Sequence, residues 1–374
     1  MALTLNQQIF NSFQKARNVL IALPRQLDAD ILGGALTLYD FFKRQNKNPE
    51  IICSAKVPEK YFFLPQTDLL KNKLELVRDF VISIDTTQHK VSRLKYEQEK
   101  DLLKIFLSSP DKIEEKDIRL TPGTFKYDLI IVLGSTDLES LGELFEEHSE
   151  LFFEKPVLNI DHQTANDHFG QINLINPIAS SCCEITLDLL QEQGGLELTP
   201  ETATWLLAGI IEKTESFQNA RTTPKSLMLA SLLMNKGAER ENIISHLYKN
   251  KPLFLLKLWG RILAKINYQE DKGLISCFVS PEDFTATDTT SQFLPAVLKE
   301  INDSFPTANA VYLLWQNKED RLEGIFYSPK DSLILKMEEN FNSRRQADYL
   351  LFAQDSLDRQ QVQEKIDSLL EPLL

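Results

Sequence analysis

The 374-residue chain has only four cysteines, at 53, 182, 183 and 277, and no two of them form a Cys-x-x-Cys pair. That excludes a zinc ribbon and a thioredoxin-type redox motif, and the adjacent Cys182 and Cys183 do not bridge readily to each other. A reducing, cytoplasmic setting is expected. No stretch approaches the run of about eighteen apolar residues that a membrane helix needs, so no membrane partner is expected. The opening MALTLNQQIFNSFQKARNVL lacks a basic start followed by an apolar block, and no secretory leader is read. Base is scarcer than acid: 41 Lys and Arg against 54 Asp and Glu leave a net charge of −13. Such a surface opposes broad phosphate neutralisation, and with it non-specific binding of duplex DNA. The Gly-x-Ser-x-Gly elbow, His-Glu-x-x-His, the P-loop and Gly-x-Gly-x-x-Gly are also missing.

What is present is an ordinary globular composition, 43% hydrophobic and 25% charged, with length enough for two domains. Leu5, Ile9, Phe10 and Phe13 share one face of a helix over 4–16. Short apolar strands follow in ARNVLIAL, NPEIIC, DFVISID, FKYDLIIVLGS and KPVLNID, with helices in DADILGGALTLYDFFKRQNK and LESLGELFEEHSELFF. VSRLKYEQ and LLKIFLS alternate in a strand-like way and predict an edge hairpin. Apolar strands alternating with helices predict an α/β fold with a doubly wound, mostly parallel sheet. Three helices come next: SCCEITLDLLQEQ, then two whose starts are marked by Thr199-Pro200 and Thr223-Pro224. The expected division is an α/β domain over 1–240, a helical connector over 241–270, and a smaller α+β domain over 271–374. A last amphipathic helix lies in QQVQEKIDSLLEPLL.

Ligands of parallel sheets collect at the carboxyl ends of the strands. Strand polarity alone therefore places Asp28, Asp30, Gly134, Asp161 and His162 along one rim. Asp28 and Asp30, one residue apart at a strand-to-helix turn, suit a hard divalent cation. They equally suit a helix N-cap and a first-turn acid facing the helix dipole. Asp161-His162 has a metal-ligand reading and a structural one. A zinc cluster of Cys182, Cys183, His162 and His168 has irregular spacing, and small core residues describe both cysteines as well. Lys213, flanked by Glu212 and Glu215, has the plain reading of a solvated lysine on a polar helix face.

The order of four blocks resembles the DHH phosphoesterases, in the branch of bacterial nanoRNases and pAp phosphatases. The blocks are DADILGGALTL, YDLIIVLGSTDLESLG, NIDHQTANDHFGQINLINPIASSCCEITLDLL and LLAGIIEKTESFQNARTTPKSLMLASLLMNKGA. The resemblance covers roughly residues 10 to 240 and implies a DHH-like first domain and a DHH-associated second one. It implies a two-metal, usually manganese, centre that hydrolyses phosphoesters with a metal-activated water. Against that pattern Asp28 and Asp30 match, but Pro24 stands where a histidine is expected. Gly134 replaces the aspartate that would bridge both metals. The Asp-His-His element is Asp161-His162-Gln163, with Asp161 as an outer partner, and Lys213 occupies a further aspartate position. In the second domain the family's glycine-rich element is replaced by MEENFNSRRQADYLLFAQDS, leaving Ser343, Arg344 and Arg345 as a residual anion contact.

Two dications about 3.5–4 Å apart need anionic ligands between them. With the bridging carboxylate gone and an ammonium added, no dinuclear centre and no metal cofactor is expected. Asp28, Asp30, Asp161 and His162 are then remnants of a centre, and Lys213 supplies the charge the metals supplied by pairing with Asp28 or Asp30. The expected function is a pseudoenzyme that binds a nucleotide, a short oligonucleotide or a protein partner. Two alternatives stand beside it: a phosphoesterase with one manganese held by Asp28, Asp30 and His162, and a purely structural subunit of a homodimer or other complex.

Overall fold

A computed structural model describes residues 3–74, 78–87, 90–110, 113–249, 252–317, 321–346, 349–354 and 359–373. The chain divides into two compact units, Met1–Lys249 and Asn250–Leu374. In the first, the five-residue apolar runs form the inner strands of a parallel sheet. Strands β1 (Asn18–Ala22), β2 (Asn48–Ile52), β3 (Leu70–Lys71), β8 (Leu129–Leu133), β9 (Val157–Asp161) and β10 (Ile172–Ile175) lie in the order β10-β9-β8-β1-β2-β3. Every pair is parallel. The chain leaves β1 towards β2 on one side and later returns to place β8 on the other. The β1/β8 boundary is therefore the topological switch point, where such sheets open a crevice.

Alternation along β1 shows why the inner strands are largely apolar. Val19 and Ile21 enter one core, with α1 (Leu5–Lys15), α2 (Ala29–Arg44), α4 (Cys182–Gln193), α5 (Pro200–Lys213) and α6 (Pro224–Asn235). Leu20 and Ala22 enter another, with α3 (Glu143–Glu154). Both faces are covered, so no polar face is needed. Gly209 lets α5 cross close to α2: a Cβ there would lie 2.4 Å from Cys183 Sγ and 2.7 Å from the Asp30 Cα.

Between β3 and β8 the chain makes an excursion that departs from expectation. DFVISID was expected as a buried strand of the main sheet. It forms β4 (Arg78–Ile84), paired antiparallel with β7 (Ile118–Phe125) in a separate two-stranded sheet. Phe80, Val81 and Ile82 are exposed, so its apolar character did not signal burial. The expected hairpin forms as β5 (Arg93–Glu99) and β6 (Leu102–Ser108), but as its own two-stranded sheet rather than at the edge of the parallel one.

The first unit closes with α7 (Arg240–Ile244) and a π-helical turn, Ser245–Lys249. In the second unit, α8 (Leu253–Leu263) buries Leu258 and Ile262 with Ile275, Val279 and Val297. The span 241–270, expected as a helical connector, holds α7, the π-helical turn and α8, and α8 turns an apolar face to the second core. That unit has a mixed sheet ordered β11-β12-β13-β14-β16-β15. Its strands are β11 (Asn267–Gln269), β12 (Leu274–Val279), β13 (Ala310–Gln316), β14 (Leu322–Tyr327), β15 (Asn342–Gln346) and β16 (Tyr349–Gln354). Its helices are α9 (Pro281–Thr287), α10 (Leu294–Ser304), α11 (Asp331–Asn340) and α12 (Arg359–Leu370). One sheet face packs on α8 and α10, the other on α11 and α12.

Candidate functional site

The rim of the parallel sheet is built from helix ends. Asp28 is the N-cap of α2, its Oδ1 accepting the Ile31 N–H at 2.8 Å. Its other oxygen, Oδ2, lies 2.7 Å from Lys213 Nζ, at the last residue of α5. Glu212 accepts the Ala29 N–H at 2.5 Å and, through Oε1, the Tyr61 hydroxyl at 2.8 Å. The N-terminus of α2 is therefore finished by two carboxylates, one of them from another helix. Each satisfies an amide that the helix itself leaves unpaired and sits at the positive end of the dipole.

Asp30 does the same for α4. The side chain is fully buried, Oδ2 accepting the Cys182 N–H at 2.8 Å and Oδ1 the Cys183 N–H at 2.7 Å. The Cys183 thiol donates to the Asp30 carbonyl at 3.2 Å. Ser181, the N-cap of α4, accepts the Glu184 N–H at 3.1 Å. Three helices are thus joined by carboxylates: α5 caps α2, and α2 caps α4.

At the end of β9, Asp161 is fully buried and accepts the His162 N–H at 2.7 Å and an Asn166 side-chain N–H at 2.9 Å. Burial works to raise its pKa, but the bonds from His162 and Asn166 outweigh that and hold it below the usual carboxylate range. His162 Nδ1 lies 3.4 Å from Cys182 Sγ. Burial, then the nearby charges of Asp30 and Asp161, push the Cys182 thiol well above its ordinary range, so it keeps its proton. Burial also pulls the Lys213 ammonium down, but Asp28 and Asp30 override it and the net shift is upward. Lys213 is charged throughout the neutral range.

Asp28, Asp30, Asp161, His162 and Lys213 are therefore brought together, in one unit, at the switch point. Ligand atoms of Asp30, His162 and Cys182 all lie within 4.8 Å of one another. The four-membered zinc grouping does not assemble: Cys183 Sγ turns to the Asp30 carbonyl, and exposed His168 bonds its own loop through the Asn166 carbonyl. Pro24 is buried, its carbonyl accepting from the Cys53 thiol at 3.3 Å, and Gln163 is half-buried. Gly134 has φ +67°, and a Cβ there would lie 2.8 Å from Ile31 Cγ1. The Ile31 side chain thus fills the space beside the end of β8.

In the second unit, Ser343 and Arg344 line a cavity of about 550 Å³, together with Asn342, Trp315 and Tyr349. Arg345 is held by Asp331 at 2.8 Å. Two contributors were not foreseen: Glu212, which looked like a solvated neighbour of Lys213, and the amides of Cys182 and Cys183. Amides carry no residue identity, but the Ser-Cys-Cys start of α4, directly after an Asn-Pro turn, is a helix N-terminus signal.

A doubly wound parallel sheet with acids and a histidine at its switch point, followed by a separate mixed-sheet unit, defines a two-unit α/β protein whose candidate site lies at the strand ends. The chain belongs to the DHH family: that family's N-terminal domain matches residues 18–210. It is similar to the bifunctional oligoribonuclease and PAP phosphatase NrnA of Thermus thermophilus, 30% identical over 138 residues, which is 37% of this chain and 42% of the relative. The NrnA of Bacillus subtilis is 26% identical over 189 residues, 50% of this chain and 56% of the relative. The match thus spans about half the length of these relatives. A solved exopolyphosphatase-related protein from Bacteroides fragilis shares the fold over 99% of this chain and 97% of its own, with a TM-score of 0.68 at 17% identity. No helix among the described residues is long and apolar enough to cross a membrane.

Proposed function

We propose that this chain is a DHH-family protein in which a lysine has taken over the charge of the metals, leaving a binding protein rather than a two-metal hydrolase. The observation that carries this reading is the Lys213 ammonium 2.7 Å from Asp28, at the helix position where the family resemblance places a carboxylate. Three others support it. Both oxygens of Asp30 already accept amides. Gly134 has no ligand atom and no room for one beside Ile31. The Cys182 thiol keeps its proton. A pair of dications needs a bridging carboxylate between them, and these residues do not fit that requirement.

The ligand class follows the relatives, whose names specify oligoribonucleotides and PAP. We assign this chain a nucleotide or the end of a short oligonucleotide, with Arg344 and Ser343 offering an anion contact. One observation favours a second reading, a single-metal phosphoesterase: the convergence of Asp30, His162 and Cys182. Asp28, also expected as a ligand, is held by Lys213.

The test is turnover. Purified protein is incubated with manganese and either pAp or a dinucleotide, and phosphate or mononucleotide release is followed. The expected release equals that of a His162→Ala variant; saturable release above that control overturns the proposal. A saturable rise in melting temperature with manganese alone would support the metal site that the single-metal reading requires. A rise with nucleotide alone supports the binding role, and no rise with either leaves a structural subunit.

A further inference from the structure

The excursion over residues 78–125 presents apolar side chains that are exposed among the described residues. In β5–β6 the register sets Leu94 opposite Leu107, Tyr96 opposite Ile105 and Gln98 opposite Leu103. Directly opposite residues share a face, so Leu94, Tyr96, Leu103 and Ile105 form one apolar face, each between 44% and 72% exposed. The other face carries the charges: Lys95 bridges to Glu97 and lies over Phe106, and Lys104 pairs with Glu99 at 2.6 Å, with Leu102 and Phe106 exposed between them. In β4–β7, Ile82 faces Leu120 and Ile84 faces Ile118. Phe80, Ile82, Ile118 and Leu120 there are between 39% and 67% exposed. Both sheets have two strands only. A two-stranded sheet is marginal in water without a covered apolar face, and its open edges invite another chain.

We propose that this β-arm is the self-association surface of the protein, and that its occupant is the arm of a second copy. Charge selects that occupant. Residues 78–125 contain nine Lys and Arg and nine Asp and Glu, whereas the whole chain carries −13. The arm is the place where two such acidic chains meet without repulsion. Its balanced charge lets the same patch face itself in an isologous contact without net repulsion. A membrane surface is disfavoured, because interfacial segments gain from excess basic charge and this one has none. Each of the two sheets offers four such side chains, and a standard stable interface of about 800 Å² per copy requires both sheets to be buried together.

The test is the mass of the full chain in solution across a concentration series, by sedimentation or light scattering. A species of twice 42.9 kDa is expected. The Tyr96→Asp/Leu103→Asp variant, and independently Phe80→Asp/Leu120→Asp, are expected to weaken the dimer at least about tenfold with unchanged circular dichroism. Cross-linking of mixed light and heavy wild-type protein reads the same contact without substitution, through Lys95 and Lys104 joined between copies. A monomer at every concentration, a dimer indifferent to both variants, or cross-links between copies that avoid the arm overturns the proposal.

Discussion

Replacing Lys213 by methionine isolates the charge at the rim, because methionine keeps much of the lysine stem's packing and removes only the ammonium. The pair with Asp28 is 2.7 Å long, and the two side chains are 26% and 24% exposed. Exposed pairs contribute at most about 1 kcal/mol, whereas breaking a buried one costs about 3–5 kcal/mol. A quarter-exposed pair lies between, and Lys213→Met is expected to cost about 2 kcal/mol. For a unit of this size that is a fall in Tm of about 4–8 °C, read by calorimetry. Asp28→Asn retains an acceptor for the Ile31 amide and loses the charge. In a double-mutant cycle the pair should show a coupling of about 1–2 kcal/mol. Alkali supplies a second axis. A lysine whose pKa is raised on folding stabilises fully below its ordinary value of 10.5, and that contribution fades as pH climbs through the higher folded value. Wild type and Lys213→Met should therefore differ at pH 7 and converge only in strong alkali. A coupling near zero, or a methionine variant that melts higher than wild type, would refute the idea that Lys213 balances the acids.

Gly134→Asp should not bring a bridging ligand back on its own. Its left-handed φ costs about 1–2 kcal/mol for a side-chain-bearing residue and its Cβ meets Ile31, so a loss of about 2–4 kcal/mol is expected, partly recovered by Ile31→Ala and measured by urea unfolding. In the second unit, burial works to raise the pKa of Asp283, but Lys265, the Ser280 amide and Arg261 together hold it down, at about 2. Its contribution is complete above the ordinary 3.8 and is lost as pH falls from there through about 2. With half-exposed partners it amounts to about 1–2 kcal/mol, so Asp283→Asn should flatten the acid limb of unfolding followed by circular dichroism in that window.

The parallel sheet was legible because strands covered on both faces read as apolar runs: LIIVL is unbroken, and VLNID is interrupted only by Asn159 before its terminal Asp161. The same signal misplaced DFVISID, since an apolar run does not say whether a helix or only solvent lies over it. β7 and β10 escaped notice because IRLTPGTF contains Pro and Gly, and INLI is short. At the site, residue type and strand polarity placed Asp28, Asp30, Asp161, His162 and Lys213 on a common rim. The partners of Asp30 were invisible, being backbone amides from a helix 152 residues further on. Glu212 was invisible for the complementary reason: an acid at a helix end looks the same whether water or a foreign amide receives it.

The carboxylate relay through α5, α2 and α4 has an evolutionary consequence. Once Asp30 and Glu212 serve as bolts between helices, any lineage that tried to recruit a cation here would have to unfasten the scaffold at the same stroke. Selection for foldedness then preserves these acids whatever becomes of chemistry, so their persistence in a descendant is poor testimony that catalysis persists. On the proposed reading the change acts as a ratchet: easy to enter by single steps, and hard to leave except by several simultaneous ones.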